Sequence, residues 1–351
     1  PASYLEKFSS LAATVTSNSG YAIGFPDVDY FVFGSFLSPQ LRSSSRAWIV
    51  SPSDRGGFKL NGTPQRGEVP FMLSVPKSSV RGEPPFPVMI YFHGTNTSRI
   101  EGIILAQELA QQGIALLSFD QIGHGPLLRN YLRFDVENPQ YGPILNALPT
   151  LIARLLAPDR ISEVEGRPFS EGIEALSDIG VFRELAVLGR WEDVNQDGIH
   201  AEAEGFFDTD PRKLCGSFWQ DNTDAMSLVK LLRSFNQQRV PARIGRPDQL
   251  SDERLQAHLL AGDFNADGVL DIGGPDVQIS AGGTSLGGIH AMLFGAIEPE
   301  VNVVTPIVPG AGMIDILSRT SLRFIARPIF KSYLGQAVVG CPDQGRSATA
   351  E

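Results

Sequence analysis

The chain has 351 residues, and its 29 Lys and Arg against 39 Asp and Glu give a formal charge of −10, a balance that argues against a nucleic-acid-binding surface. Apolar residues make up 42% and charged residues only 19%, enough to bury a sizeable core and too few charges for a disordered chain. At roughly 100 to 200 residues per domain, the length admits two domains or one large α/β domain with an insertion, and the second is expected.

Residue 1 is Pro1, and the last residues, Gly345 to Glu351, are small and polar, so the chain is expected to be cut at both ends. Residues 1–69 are rich in Ser, Gly and Pro and read as a β- and loop-rich lead-in, with a strand-like piece at Tyr30 to Phe33 and turns from Ser51 to Gly67. From Pro70 the pattern sharpens: Pro70 to Pro76 alternates as a strand, and Phe86 to Phe92 is a continuous apolar run suited to a buried parallel strand. Ser98 to Gln112 carries apolar residues at helical spacing with Gly113 as a stop, and Ile114 to Phe119 is a second buried strand. Strand, helix and strand in so short a stretch form a βαβ unit and imply a parallel sheet.

Residues 126–275 contain helical patterns at Leu145 to Leu156, Ile173 to Leu188, Phe218 to Phe235 and Glu253 to Leu260, and are expected to form a mainly helical cap inserted into the sheet domain. The core, residues 70–125 and 276–351, resumes with a strand at Val277 to Ala281, a helix at Ile289 to Ala296, a strand at Val301 to Val308 and a helix around Met313 to Tyr333. No apolar run approaches the roughly 20 residues needed to cross a bilayer. Cys215 and Cys341 lie far apart without CxxC spacing, which leaves a disulfide between them open and a zinc or redox motif excluded.

Three motifs carry chemistry. Gly283-Thr284-Ser285-Leu286-Gly287 sits between an apolar strand and a helix, where small neighbours let a strained turn lift a Ser hydroxyl above the sheet. His93-Gly94-Thr95-Asn96 ends the first buried strand, where an acyl-transfer site needs a backbone donor for a developing oxyanion; Thr95 and Leu286 occupy the two donor places. Asp120-Gln121-Ile122-Gly123-His124-Gly125 ends the next strand. In this order the motifs resemble the α/β-hydrolase superfamily, and the chain is similar to large secreted bacterial esterases and lipases, including virulence-factor lipases. The resemblance covers roughly Pro70 to Asp315 and includes Asp221-Asn222 and Pro309 to Gly312.

The resemblance implies a mostly parallel hydrolase sheet, Ser285 as an acylated nucleophile, Thr95 and Leu286 as oxyanion donors, and a small-molecule or lipid ester as substrate. It also implies an acid and then a His after the nucleophile, and here the sequence departs. Only His290 follows Ser285, five residues along the same helix and so directed into packing; His93 and His124 match positions that are structural in the family. Truncation before the catalytic Asp and His is expected, with Asp315 as the acid of a minority arrangement or an ordinary helix-start residue. Without a His the fragment is expected to be inactive.

A fourth feature points to metal. Asp193, Asn195, Asp197, Ile199 (by its carbonyl) and Glu204 occupy positions 1, 3, 5, 7 and 12 of an EF-hand-like loop with Gly198 at position 6. A second loop offers Asp263, Asn265, Asp267, Val269 (by its carbonyl) and Asp271, with Gly268 at position 6 and Gly274 where the last Glu would stand. Hard oxygen donors at this spacing select structural Ca2+; the other reading is a pair of metal-free Asn and Asp turns. Weakened calcium loops suit millimolar calcium, so the protein is expected to be extracellular, periplasmic or outer-membrane associated. The competing reading of the whole chain is a non-catalytic calcium-binding surface or scaffold protein on a hydrolase fold. Substrate identity and oligomeric state are not legible.

Overall fold

The computed structural model describes residues 25–126, 158–176, 188–194, 203–235, 239–241 and 258–310, apart from positions 55, 96, 209 and 266, together with 149, 150, 153 and 196. Within these, ten strands run in chain order: β1 (Val28–Gln40), β2 (Val50–Pro52), β3 (Phe58–Leu60), β4 (Gln65–Pro76), β5 (Val88–Phe92), β6 (Ala115–Phe119), β7 (Arg239–Pro241), β8 (His258–Leu260), β9 (Ile279–Thr284) and β10 (Val301–Ile307). The helices are α1 (Ile103–Gln111), preceded by a 3₁₀ turn at Arg99–Gly102, then α2 (Ile161–Val164), α3 (Phe169–Ala175), α4 (Pro211–Ser234) and α5 (Leu286–Ile297).

Six strands form one sheet in the order β1-β4-β6-β5-β9-β10. The two long N-terminal strands are antiparallel to each other and β4 is antiparallel to β6, whereas β6, β5, β9 and β10 are mutually parallel. This mixed, mostly parallel sheet with helices on both faces is consistent with an α/β-hydrolase fold. β1 lies in the stretch read as a lead-in, yet it pairs with β4 from Tyr30 opposite Val75 to Gln40 opposite Gln65 and so belongs to the sheet.

Period-two alternation sorts the strand residues between two cores. Val88, Ile90 and Phe92 of β5, with Ala115, Leu117 and Phe119 of β6 and Ile279 and Ala281 of β9, face α4 and α5. Tyr91 and Leu116 face the other way, onto Ala106 and Ala110 of α1. α4 starts where the Asp210 side chain accepts the Arg212 N–H and Pro211 takes the first helical position. Its Ala225, Leu228, Val229 and Leu232 recur at the spacing of one helix face and are all buried against the sheet. The helix expected in the cap therefore belongs to the core layer, because its apolar stripe has the sheet itself as partner.

Other expectations shift as well. Residues 258–260, read as the end of a helix, pair with Arg239–Pro241 in a short antiparallel ribbon, where strand pairing overrides weak helical spacing. The expected helix around Met313 to Tyr333, Cys341 and most of the helix at Leu145 to Leu156 lie outside the described residues. Cys215 is an exposed, free thiol. No described helix is long and apolar enough to cross a membrane.

Candidate active site

The C-terminal ends of the parallel strands β5, β6 and β9 meet at one rim of the sheet, the edge at which open α/β sheets place their ligands. β9 ends at Thr284, α5 begins at Leu286, and Ser285 alone makes the turn between them, with φ +56° and ψ −112°. A non-glycine residue at positive φ is costly and is held only by the surrounding structure. Here the Ser285 N–H donates to the Ile307 carbonyl of β10 at 2.9 Å, and the side chain is exposed. The flanking glycines are dictated by backbone rather than by side chains: a Cβ on Gly283 would lie 2.2 Å from the Gly287 oxygen, and one on Gly287 would lie 1.9 Å from the Phe92 oxygen. The G-x-S-x-G spacing is thus the steric requirement of a strand-to-helix turn pressed against the end of β5.

The loop leaving β5 carries Gly94 and Thr95. A Cβ on Gly94 would stand 3.4 Å from the Thr284 oxygen, so the loop and the Ser285 turn are in contact. The Gly94 N–H is committed to Glu101 Oε2 at 3.1 Å. Thr95 follows it, and Leu286, the first residue of α5, has an N–H that the helix itself cannot satisfy. The Leu286 side chain is buried against Ala203 and Phe206. The turn that carries Ser285 and Leu286 therefore touches the loop at Gly94, one residue before Thr95.

Beneath them lies a polar foundation. His93 accepts the Gln121 N–H at Nε2 (3.1 Å), so its proton sits on Nδ1 and goes to the Gly94 oxygen (2.8 Å). Gln121 returns a bond from Nε2 to the His93 oxygen at 2.6 Å. Arg99, fully buried, bonds Asp120 through both its backbone N–H and its guanidinium, and reaches the Leu188 oxygen at 2.9 Å. Arg190 binds Asp224 at 2.6 Å and Asp221 at 3.3 Å, while Asp221 also accepts the Ile122 N–H at 2.9 Å. Asp120, His124 and the Asp221-Asn222 pair stand out in the sequence, but nothing there assigns them bonds; their partners Arg99 and Arg190 carry no recognisable signal.

Burial holds all three of these histidines neutral. It drives His93 well below the usual range, with the neighbouring His124 adding to the effect, His124 down to about 4, and His290 down to about 3. His290 stacks on Phe92 and Phe218 and accepts from Asn222 Nδ2 at 3.3 Å, an amide nitrogen oriented by its bond to the Phe218 oxygen at 2.8 Å. Its Nε2 faces Asp221 Oδ2 at 3.7 Å, and burial pushes that carboxyl up to about 7. As expected, His290 is turned into packing. Among the described residues no side chain bonds the Ser285 hydroxyl, and Asp315 lies outside them.

The calcium loops are partly visible. In the first, Asn195, Asp197 and Ile199 lie outside the described residues, and Glu204 Oε1 accepts the Val194 N–H at 2.9 Å. In the second, Asp263 accepts the Gly268 N–H (2.9 Å), Asp271 accepts the Phe264 N–H (2.6 Å) and Asp267 accepts the Val269 N–H (2.8 Å). The Asn265 amide nitrogen lies 3.0 Å from Asp267 and 3.4 Å from Asp271. Burial raises the Asp271 carboxyl, with the charges of Asp263 and Asp267 adding to it. The expected side-chain donors share one loop, and one oxygen of each of Asp263, Asp267 and Asp271 accepts from one of its N–H groups. Among the described residues no three His, Cys, Asp or Glu side chains gather as a metal site needs.

No family model matches the chain, and no curated protein matches it. Solved structures that resemble it include a 2,6-dihydroxy-pseudo-oxynicotine hydrolase, at 14% identity and TM-score 0.29, over 82% of this chain and 47% of that one. Esterase B from Lactobacillus rhamnosis is similar at 12% identity and TM-score 0.31, over 98% and 68% of the two chains. A peroxisomal α/β-hydrolase from Saccharomyces cerevisiae is similar at 11% identity and TM-score 0.20, over 92% and 94%. The chain thus spans about half the length of the first of these, 47%. The neighbours are hydrolases and esterases, and likeness at this level carries no argument about the reaction or substrate of this chain.

Proposed function

We propose that the chain is a serine carboxylic-ester hydrolase. The observation that carries this reading is the exposed Ser285 at φ +56° on the turn between β9 and α5, beside the loop that holds Thr95. Strain of this kind is maintained only where surrounding structure over-determines it, and it clusters at functional turns. In the proposed reaction the Ser285 oxygen attacks an ester carbonyl and gives its proton to a general base. The Thr95 and Leu286 N–H groups take the oxyanion, and the alcohol departs with that proton. Water then adds to the acyl-serine and releases the acid. The base is not among the described side chains, since His93, His124 and His290 are committed elsewhere. The substrate is a small-molecule or lipid ester.

The loops at Asp193 to Glu204 and Asp263 to Asp271 are proposed to hold structural calcium, which suits an extracellular, periplasmic or outer-membrane setting. The commitment of all three buried histidines favours a second reading, a calcium-binding scaffold that keeps the fold without the reaction. Labelling of the full-length natural protein with a fluorophosphonate, followed by intact-mass and peptide analysis, separates the two. A single adduct on Ser285, absent from Ser285→Ala, supports the hydrolase; no adduct, or one elsewhere, overturns it in favour of the scaffold.

A further inference from the structure

We propose that Glu101 is a positioning residue that locks the oxyanion loop to the nucleophile turn. The inference rests on the ester-hydrolase reading and deepens it. The Glu101 carboxylate is divided between two neighbours: Oε2 accepts the Gly94 N–H at 3.1 Å and Oε1 accepts the Tyr91 O–H at 2.7 Å. Tyr91, buried under α1, has then spent its proton, so the 2.7 Å contact with Thr284 Oγ1 is a bond donated by Thr284. Burial holds the Tyr91 hydroxyl above its ordinary range, which keeps it a donor to Glu101.

One carboxylate thus reaches both halves of the site. Gly94 immediately precedes Thr95, and Thr284 immediately precedes Ser285. The chain of bonds runs from Thr284 through Tyr91 and Glu101 to Gly94, and it ties the two loops at a fixed separation.

The Gly94 bond has a second effect. An N–H already donated to a carboxylate is not free for an oxyanion, and a loop whose Gly94 N–H is aimed at Glu101 must present its next donor, on Thr95, in a different direction. Glu101 therefore decides which amide of the loop faces the substrate.

A purely local role does not account for these bonds. Ser98 caps the 3₁₀ turn at Arg99–Gly102, accepting the Ile100 N–H at 3.3 Å, and Ser-x-x-Glu is the pattern of a capping box whose Glu returns to the cap's own N–H. In this protein the described bonds of Glu101 go to Gly94 and Tyr91 instead.

The test compares wild type, Glu101→Gln and Tyr91→Phe, each made in the full-length natural protein, on p-nitrophenyl acetate and butyrate. It also measures inhibition by a trifluoromethyl ketone, phosphonylation of Ser285 and thermal unfolding. Gln fills the same volume but presents an amide nitrogen where one of the two donors points. Expected for Glu101→Gln is a loss of about 10- to 100-fold in kcat, KM nearly constant, and trifluoromethyl ketone affinity falling in parallel with kcat/KM, while Ser285 is still phosphonylated. Tyr91→Phe removes one link only and should show a smaller loss of the same kind.

Unchanged kcat in Glu101→Gln, with the wild type active and labelled on Ser285, overturns the positioning role and leaves the hydrolase reading standing. A loss confined to melting temperature or shared equally by kcat and the folded fraction also overturns it. A wild type that neither turns over nor labels takes both readings down. If Glu101→Gln does not fold, Tyr91→Phe alone decides: a kcat loss at constant KM supports the lock, and wild-type kcat overturns it.

Discussion

Gly287 and Phe92 meet backbone to backbone: a Cβ on Gly287 would lie 1.9 Å from the Phe92 carbonyl oxygen, inside any allowed contact. The start of α5 is thereby pressed onto the end of β5, which brings the Ser285 turn to the loop that carries Thr95. Gly287→Ala must move one backbone or the other and is expected to lose about 3 kcal/mol or more, in the range of severe core disruptions. Gly62→Ala, where the added Cβ meets nothing within 4 Å, should stay within about 0.5 kcal/mol of wild type. Urea unfolding of the pair measures the contrast; equal stabilities would show that the contact is not a constraint.

Ser285 carries the strain of that turn. At φ +56° and ψ −112° a glycine is at ease and a serine is not. Ser285→Gly should therefore raise the melting temperature by about 1 to 2 °C, about 1 kcal/mol once the greater chain entropy of glycine is subtracted. Calorimetry of Ser285→Gly against Ser285→Ala checks this: the alanine variant keeps the strain and should gain little.

Arg99 and Asp120 are both fully buried and joined by two bonds. Removing one charge strands the other, so Arg99→Met is expected to cost about 3 to 5 kcal/mol. Arg99→Met combined with Asp120→Asn should recover part of that, because the uncompensated charge is gone even though the backbone acceptor of Leu188 loses its donor. A double variant no more stable than Arg99→Met would show that lost packing, not the stranded charge, sets the cost.

Acid stability follows from the buried histidines. His124 and His290, held neutral down to about 4 and about 3, take up protons in the unfolded chain from about 6.5 downward, as does His93, so stability is lost as pH falls below that point. Asp221, with a folded value near 7 against the ordinary carboxylate range, works the other way: the folded chain holds its proton between about 4 and 7, so its contribution falls as pH rises. Burial raises Asp120 and Asp271 as well, and they act in the same sense as Asp221, so the limb between about pH 4 and 6.5 is a balance of three histidines against three carboxyls that single variants resolve. His290→Phe, which keeps the stack between Phe92 and Phe218, should lower the slope of this limb by about 1.4 kcal/mol per pH unit, and Asp221→Asn should raise it. Stability curves at stepped pH give the slopes directly; identical slopes in all three proteins would refute the assignment.

Calcium occupancy of the second loop predicts a melting temperature that rises with added calcium and falls with chelator, by about 2.7 kcal/mol of stability at a hundredfold excess over Kd. Asp263→Asn and Asp271→Asn should abolish that difference while costing the apo protein little. A melting temperature indifferent to both calcium and chelator would overturn the calcium role and leave these carboxylates to hydrogen bonding, including those from Gly268 and Phe264.

Local pattern by itself determined the parallel strands and the turn at Ser285, because both are written over a few neighbouring residues. β5 is an unbroken apolar run and β6 is interrupted only by Ser118, because both their faces are covered; the Gly283 clash with the Gly287 oxygen is local to the strand-to-helix turn, whereas that of Gly287 is with β5. Of the 24-residue α4, the part from Phe218 onward was legible as a helix but not as a core element, since its stripe of Ala225, Leu228, Val229 and Leu232 names no partner. β1 was legible only as a strand-like piece at Tyr30 to Phe33 for a related reason: its exposure pattern is irregular, and only its long register with β4 makes it part of the sheet. The Glu101 bridge and the Arg99 and Arg190 pairs were decided by tertiary structure alone. They join residues distant in sequence or assigned to different loops, and a charge carries no mark in sequence of the partner that will compensate its burial.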